Sequence, residues 1–301
     1  MNRTLVLFPG ALGDFLCLWP ALRTLREERA ASITLAIKPD LFDLVNAESH
    51  RLVSIDAREI ADLFGRTPLR ADTRRLFGGH TRTHSFIGAA DEGFTKRLRE
   101  ATGGTVAFHH VRGMGPGEHA TRYFARCLGV VPRAHGLKPG EAAARWAADL
   151  WRTANLGEHA LAIHAGSGSP TKNWLGMAEI AHRWREGGGR VVLLTGPAER
   201  EEEPTIANDA MVREESLSRV AAVLQRAERY AGNDSGISHL AGLVAARGAV
   251  VFGPSHPATW RPNGTTLTVL TGPTSCTACG TDVFCTHRLA VDEVWRALAR
   301  P

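Results

Sequence analysis

From residue 4 to residue 270 the chain alternates short, unbroken apolar runs with stretches of helical period, and no other feature limits its fold as strongly. The runs "TLVLF" (4–8), "SITLAIK" (32–38), "RLVSID" (51–56), "THSFIGA" (83–89) and "TVAFHH" (105–110) come first. "ALAIHAG" (160–166), "RVVLLTG" (190–196), "RYAGN" (229–233), "AVVFG" (249–253) and "TLTVL" (266–270) follow. Runs apolar at consecutive positions are the pattern of strands buried on both faces of a parallel sheet. The expected helices lie between them, at about 14–29, just after Pro39, near 58–65, at 93–103, 118–129, from Asn173, at 216–226 and from Ser235, with an amphipathic one at 291–300. Parallel strands joined through helices need right-handed βαβ crossovers, so the class is α/β and doubly wound.

At 301 residues the chain is long enough for two such domains, each burying its own core. The segment "GVVPRAHGLKPGE" (129–141) concentrates Gly and Pro and lacks a regular apolar pattern, which places the expected boundary between domains 1–135 and 136–301. A net charge of +5 is compatible with an anionic partner such as a phosphorylated lipid, a membrane surface or nucleic acid, but a composition bias spread along the chain is the stronger reading. The basic residues are nearly all Arg and spread along the chain, with lysine only at 38, 96, 138 and 172. No basic block interleaved with aromatics occurs, so nucleic acid is not expected as a partner. No apolar run reaches the roughly 18–20 residues needed to span a bilayer. The expected location is the cytoplasm, with peripheral contact at the inner face of the inner membrane as the further option. Cys17 and Cys127 stand alone in apolar helical contexts, as reduced core thiols do.

Four stretches carry chemistry at one kind of place, the carboxyl end of an expected strand. In "PGALGD" (9–14), Gly10 and Gly13 let backbone approach a ligand, and Asp14 is placed to cap a helix at its positive end. A plain N-cap is the commoner use of such an Asp. "HAGSGSPTKNW" (164–174) offers the hydroxyls of Ser167, Ser169 and Thr171 and the amine of Lys172 to a phosphate, without the spacing of a Walker loop. A solvated turn explains it equally well. "TGPAERE" (195–201) sets Glu199 where a carboxylate can accept both hydroxyls of a ribose, although Glu in a first helical turn is ordinary. In "AGNDSGISHLAG" (231–242), Asn233, Asp234 or Ser235 can cap a helix whose N-H groups are bared at Gly236, and His239 lies one turn on from Ser235.

"LFPGALGDFLCLWPALRTLR", "IHAGSGSPTKNW", "LLTGPAERE" and "GNDSGISHLAG", followed by "AVVFGPSHPATW", resemble in order the signature segments of glycosyltransferase family 9, the ADP-heptose:lipopolysaccharide heptosyltransferases. The resemblance runs from about residue 4 to residue 260. It implies the GT-B architecture, two Rossmann-like domains facing across a cleft, with the acceptor bound by 1–135 and the nucleotide-diphospho-sugar, ADP-heptose, mainly by 136–301. It leaves helix 291–300 the option of packing back on the first domain. It implies that Asp14 is the base that deprotonates the acceptor hydroxyl in an inverting transfer, with Gly10 and Gly13 shaping the acceptor-side loop. Ser167, Lys172, Ser235 and Gly236 are then expected at the donor diphosphate, Glu199 at the ribose, Asp234 at the donor sugar and His239 beside them. Which of Ser167, Ser169 and Thr171 touches phosphate stays open. The acceptor is expected to be a lipopolysaccharide core or related glycan or glycolipid, and no cofactor is required.

Two other readings stay on the table: a nucleotide-sugar epimerase of the same fold, and a binding module without turnover. A dinucleotide-dependent dehydrogenase is disfavoured, because no G-x-G-x-x-G appears with an acid at the next strand end. The loops "GGHTRTH" (78–84) and "FHHVRGMGPGEH" (108–119) are rich in Arg and His and suit an anionic acceptor or plain solvated surface. "CTACGTDVFCTH" supplies Cys276, Cys279, Cys285 and His287, a set of soft zinc ligands within twelve residues. Paired or free thiols are the preferred reading there, because zinc sites more often use two separated pairs.

Overall fold

The computed structural model describes residues 3–29, 32–45, 50–196, 206–274 and 284–299. The chain divides into two units, Met1–His135 and Gly136–Pro301. In the first, β1 (Arg3–Leu7), β2 (Ser32–Ile37), β3 (His50–Ser54), β4 (Arg82–Ser85) and β5 (Thr105–Phe108) form one sheet in the order β3-β2-β1-β4-β5. All of its pairings are parallel. Consecutive apolar residues in β1 serve both faces. Leu5 and Leu7 join Ala36, Phe77, Phe94 and Leu98 in one core cluster. Phe8, just past β1, packs edge-on against Phe86 at 5.2 Å and Phe124 at 5.4 Å. Fully buried, such rings contribute about 2–3 kcal/mol each, so the carboxyl end of β1 is held firmly.

The second unit repeats the plan with six strands: β6 (Ala160–His164), β7 (Arg190–Thr195), β8 (Ala210–Arg213), β9 (Arg229–Asn233), β10 (Gly248–Phe252) and β11 (Leu267–Thr271). Their order is β11-β10-β9-β6-β7-β8, again all parallel. Alternate residues Leu161, Ile163, Val191, Leu193, Ala231, Ala249 and Val251 share one core with Trp174, Ile180 and Trp184. The closing helix Val291–Leu298 belongs to this unit: Val294, Ala297 and Leu298 sit in the same core, and Arg183 bonds Asp292 at 2.6 Å. The sequence left that helix the option of lying on the first unit, and its apolar stripe is filled here.

Strand order decides where ligands bind. In a doubly wound sheet the crevice opens where successive connections turn to opposite sides. That point lies between β1 and β4 in the first unit and between β6 and β9 in the second.

Three local expectations need correction. Helix Leu12–Arg29 begins two residues before Asp14, because the carbonyl of Ala11 already accepts the N-H of Phe15 at 2.9 Å. The helix expected from Asn173 begins at Met177, since a 3-10 turn at Pro170–Lys172 comes first and Trp174 is drawn into the core. Strand β8 and the helices Ala71–Phe77, Glu141–Thr153 and Pro257–Trp260 were not foreseen. Among the described residues no helix is long and apolar enough to cross a membrane.

Candidate active site

At the second switch point the loop after β6 and the turn after β9 come together. Ser235, with extended backbone (φ -148°, ψ 165°), caps the helix Gly236–Leu243, its hydroxyl accepting the N-H of Ser238 at 3.4 Å. The cap is therefore Ser235, among the three candidates the sequence offered. The N-H groups of Gly236 and Ile237, in the first turn, have no carbonyl within the helix to bond and are an anion-binding element in waiting. Lys172 Nζ meets the buried Asp234 Oδ2 at 2.7 Å. An ammonium thus stands at the positive end of a helix, beside the one acid that precedes its cap.

Buried groups hold this arrangement. Asn233, the last residue of β9, is fully buried; its Nδ2 donates to Ala165 O at 2.5 Å and its Oδ1 accepts the N-H of Trp174 at 3.1 Å. Ser238 Oγ donates to Asn233 O at 2.5 Å and also meets the Tyr230 hydroxyl at 2.9 Å. Burial raises the Tyr230 phenol far above its ordinary range. His164, the end of β6, lies 3.2 Å from Ser235 Oγ through Nδ1, and burial pushes its pKa down to about 4. It is a neutral hydrogen-bonding partner at neutral pH, not a cation for phosphate. Gly253, after β10, is needed for close approach: a Cβ there would come to 2.8 Å from Thr286 Cγ2, with Thr171 O and Lys172 Cα next.

Not every expected residue is aimed outward. Ser167 is half-buried and turns its hydroxyl into its own loop, 2.6 Å from Ser169 O and 2.7 Å from Asn173 Oδ1. Ser169 and Thr171 bond each other through their hydroxyls at 2.9 Å. His239 is buried one turn into the helix. Glu199, Cys276 and Cys279 lie outside the described residues. Cys285 is buried, its sulfur 4.0 Å from His287 Nδ1, and among the described residues no three His, Cys, Asp or Glu gather as a metal would need.

In the first unit Asp14 is half-buried at the third helical position, where its Oδ2 accepts the N-H of Ala11 at 3.2 Å. It is the reach-back half of a capping box rather than the N-cap that the sequence suggested. A Cβ on Gly10 would overlap the Phe8 ring and the Cβ of Asp14, so only glycine allows the chain to double back over this acid. Gly13 fills the second helical position, half-buried. On the neighbouring strands of the same sheet, a pocket of about 370 Å³ opens at the ends of β4 and β5, lined by Phe86, Ile87, Asp91, His109 and His110 among others. His84 Nδ1 and His109 Nε2 lie 3.2 Å apart beside it, and burial lowers the pKa of His109.

Sequence reasoning passed over His164, Tyr230 and the bracing role of Asn233. One signal was present for His164 and Asn233: each is a polar residue at the carboxyl end of a buried strand, "ALAIH" and "RYAGN".

A family model described as glycosyltransferase family 9 (heptosyltransferase) matches residues 134–284. The chain belongs to glycosyltransferase family 9. The match holds Ser167, Lys172, Asp234, Ser235, Gly236 and His239, and Asp14 lies outside it. Among solved structures, a family 9 glycosyltransferase from Veillonella parvula is 18% identical, with 98% of this chain and 96% of that one covered at a TM-score of 0.79. The E. coli heptosyltransferase WaaC with ADP is 17% identical, with 98% of each chain covered and a TM-score of 0.68. The E. coli ADP-heptose lps heptosyltransferase II is 16% identical, with 91% and 92% covered and a TM-score of 0.70. At such identities the likeness fixes the fold, the GT-B fold of this glycosyltransferase family. A search of curated proteins finds no match.

Proposed function

We propose that this family 9 glycosyltransferase is an inverting enzyme that moves heptose from ADP-heptose to a lipopolysaccharide core or related glycan. One observation carries the donor half: the Lys172 ammonium held 2.7 Å from Asp234 at the start of helix Gly236–Leu243, where a diphosphate finds a cation and bare N-H groups together. Structures of WaaC with ADP and with ADP-2-deoxy-2-fluoro heptose support that donor. The name of the E. coli heptosyltransferase II supports the lipopolysaccharide acceptor.

In this reading Lys172 and the N-H groups of Ser235 and Gly236 stabilise the charge that grows on the leaving diphosphate, and the Ser167 hydroxyl joins them when it turns out of its own loop. Glu199 takes the ribose; Asp234 and His239 take the sugar. Asp14 removes the proton from the acceptor hydroxyl as that oxygen attacks the anomeric carbon from the face opposite the departing ADP, with Gly10 and Gly13 keeping the loop open. The reaction itself requires no cofactor. Expected location is the cytoplasm, with the acceptor met at the inner face of the inner membrane.

The test is transfer from ADP-heptose onto a truncated core glycolipid, with the product anomer read by NMR. Inverted product that forms only with acceptor present supports the reading. A retained anomer removes the inverting mechanism, and an altered sugar nucleotide formed without acceptor makes the protein an epimerase.

A further inference from the structure

The loop that carries Lys172 spans residues 165–174, and both of its ends are tied to one side chain. Asn233 Nδ2 donates to the carbonyl of Ala165 where the chain leaves β6. Its Oδ1 accepts from the N-H of Trp174 where the chain turns toward the core. The partners fix the amide orientation, because a carbonyl can only accept and a backbone N-H can only donate. Its own carbonyl accepts from Ser238 Oγ in the helix Gly236–Leu243. Trp174 is anchored a second time, its indole N-H donating to Leu289 O at 3.1 Å. The residue after Asn233 is Asp234, the ion-pair partner of Lys172. One buried amide therefore sets three things in common register: the loop, the acid and the helix start.

We propose that Asn233 is a positioning residue for the diphosphate subsite, holding Lys172 at the helix start through the two ends of its loop. This rests on the donor reading above. Neither Asp nor a hydroxyl residue can replace it: a carboxylate cannot donate to Ala165, and Ser or Thr cannot span both ends. Geometry of this kind matters because a displacement of about 1 Å in a charged group costs far more than the bond that prevented it.

Asn233→Leu keeps the branched shape and adds no charge while removing both bonds; Asn233→Ala removes them and leaves space. Titration calorimetry with ADP and with adenosine reads the subsite alone, as the two ligands differ only in the diphosphate. The ratio of ADP to adenosine affinity is expected to fall about tenfold or more in either variant, with adenosine binding within about twofold of wild type. A folded variant that keeps the wild-type ratio overturns the assignment, even if its melting temperature has dropped. Should neither variant fold, amide hydrogen exchange of the wild-type protein decides: Trp174 N-H protected like the strands of the second sheet supports the staple, and exchange as fast as in exposed loops ends it. A wild-type protein that does not prefer ADP to adenosine sinks the donor reading and this inference together. Loss of the ratio in the variants alone leaves the donor reading standing.

Discussion

The two units share one strand plan and place a functional candidate at the same topological point, yet they build it in opposite ways. In the first, Gly10 leaves room for the chain to fold over Asp14, and the acid reaches back to the N-H of Ala11 at the start of its own helix. In the second, strands end in the buried polar side chains His164 and Asn233, which with Ser238 of the following helix and Tyr230 of β9 brace the segment that carries Lys172 and Asp234. Charge divides the same way. Residues 1–135 hold 19 Lys and Arg against 14 Asp and Glu, whereas residues 136–301 hold 17 of each, so the whole excess of +5 belongs to the first unit. Under the proposed function, the contrast fits a first unit that meets an anionic acceptor and a second that grips a nucleotide donor.

The sharpest way to break this comparison is at Asp14. Removing a general base typically costs 10²–10⁴ in rate, so Asp14→Ala is expected to lower kcat by roughly 10³-fold. Donor affinity, read by calorimetry with ADP, should stay within about twofold. A variant with undiminished turnover takes Asp14 out of the mechanism and leaves it a helix-capping residue alone.

The bracing of the second unit is tested by pH. Unfolded, His164 titrates near 6.5; folded, burial holds it down to about 4. The native state therefore refuses a proton that the unfolded chain takes. Stability contributed by the neutral form is whole above pH 6.5 and is lost as pH falls toward 4, at about 1.4 kcal/mol per unit and roughly 3 kcal/mol in all. Denaturant unfolding at pH 7.5 and pH 5 should show about 2 kcal/mol of this, and His164→Gln should remove it. In the first unit the buried His80, bonded to Phe77 O at 2.7 Å and Thr34 Oγ1 at 2.9 Å, is lowered by the same cause and adds loss of the same sign. A slope unchanged by His164→Gln assigns the effect elsewhere.

Next in size is Lys172. Asp234 is 5% exposed while the lysine side chain keeps 28%, so the ion pair is open on the lysine side and partly screened. Lys172→Ala is expected to weaken ADP binding by about 10–50-fold and leave adenosine within about twofold. Equal losses for both ligands would mean that the loop has collapsed rather than that a phosphate contact has gone.

Much of this was legible in the sequence, because buried parallel strands write themselves as continuous apolar runs. Strand β8 escaped because "AMVR" is short and sits at an edge, half-buried. Helix Glu141–Thr153 escaped although its buried residues Ala143, Ala147 and Trp151 recur every four positions, because it follows directly on the Gly-Pro segment read as the boundary. At the site, residue types and their place at strand ends were readable, and the cap could be narrowed to three residues. The role of Asn233 was not, since its partners are backbone atoms 68 and 59 residues away that no local pattern specifies. The direction of the Ser167 hydroxyl was unreadable for a related reason: it has partners within its own loop, and a sequence cannot show which way a hydroxyl turns.

The smallest expected effect bears on the division of charge. If the excess of the first unit draws an anionic acceptor, that attraction acts over distances at which salt screens it, since the Debye length is about 8–10 Å at 0.1–0.15 M and shorter above. The proposed donor contact differs in kind: one ammonium paired with a buried acid, and N-H groups at a helix start, act at hydrogen-bond range, where salt screens less than it does over a Debye length. Raising salt from about 50 to 300 mM should therefore lower kcat/KM for a phosphorylated acceptor several-fold. The dissociation constant for ADP should change less. A neutral acceptor of the same size should lose the sensitivity. If the acceptor proves indifferent to salt while ADP binding falls, the charge of the first unit is surface composition, and the comparison rests on the two switch-point loops alone.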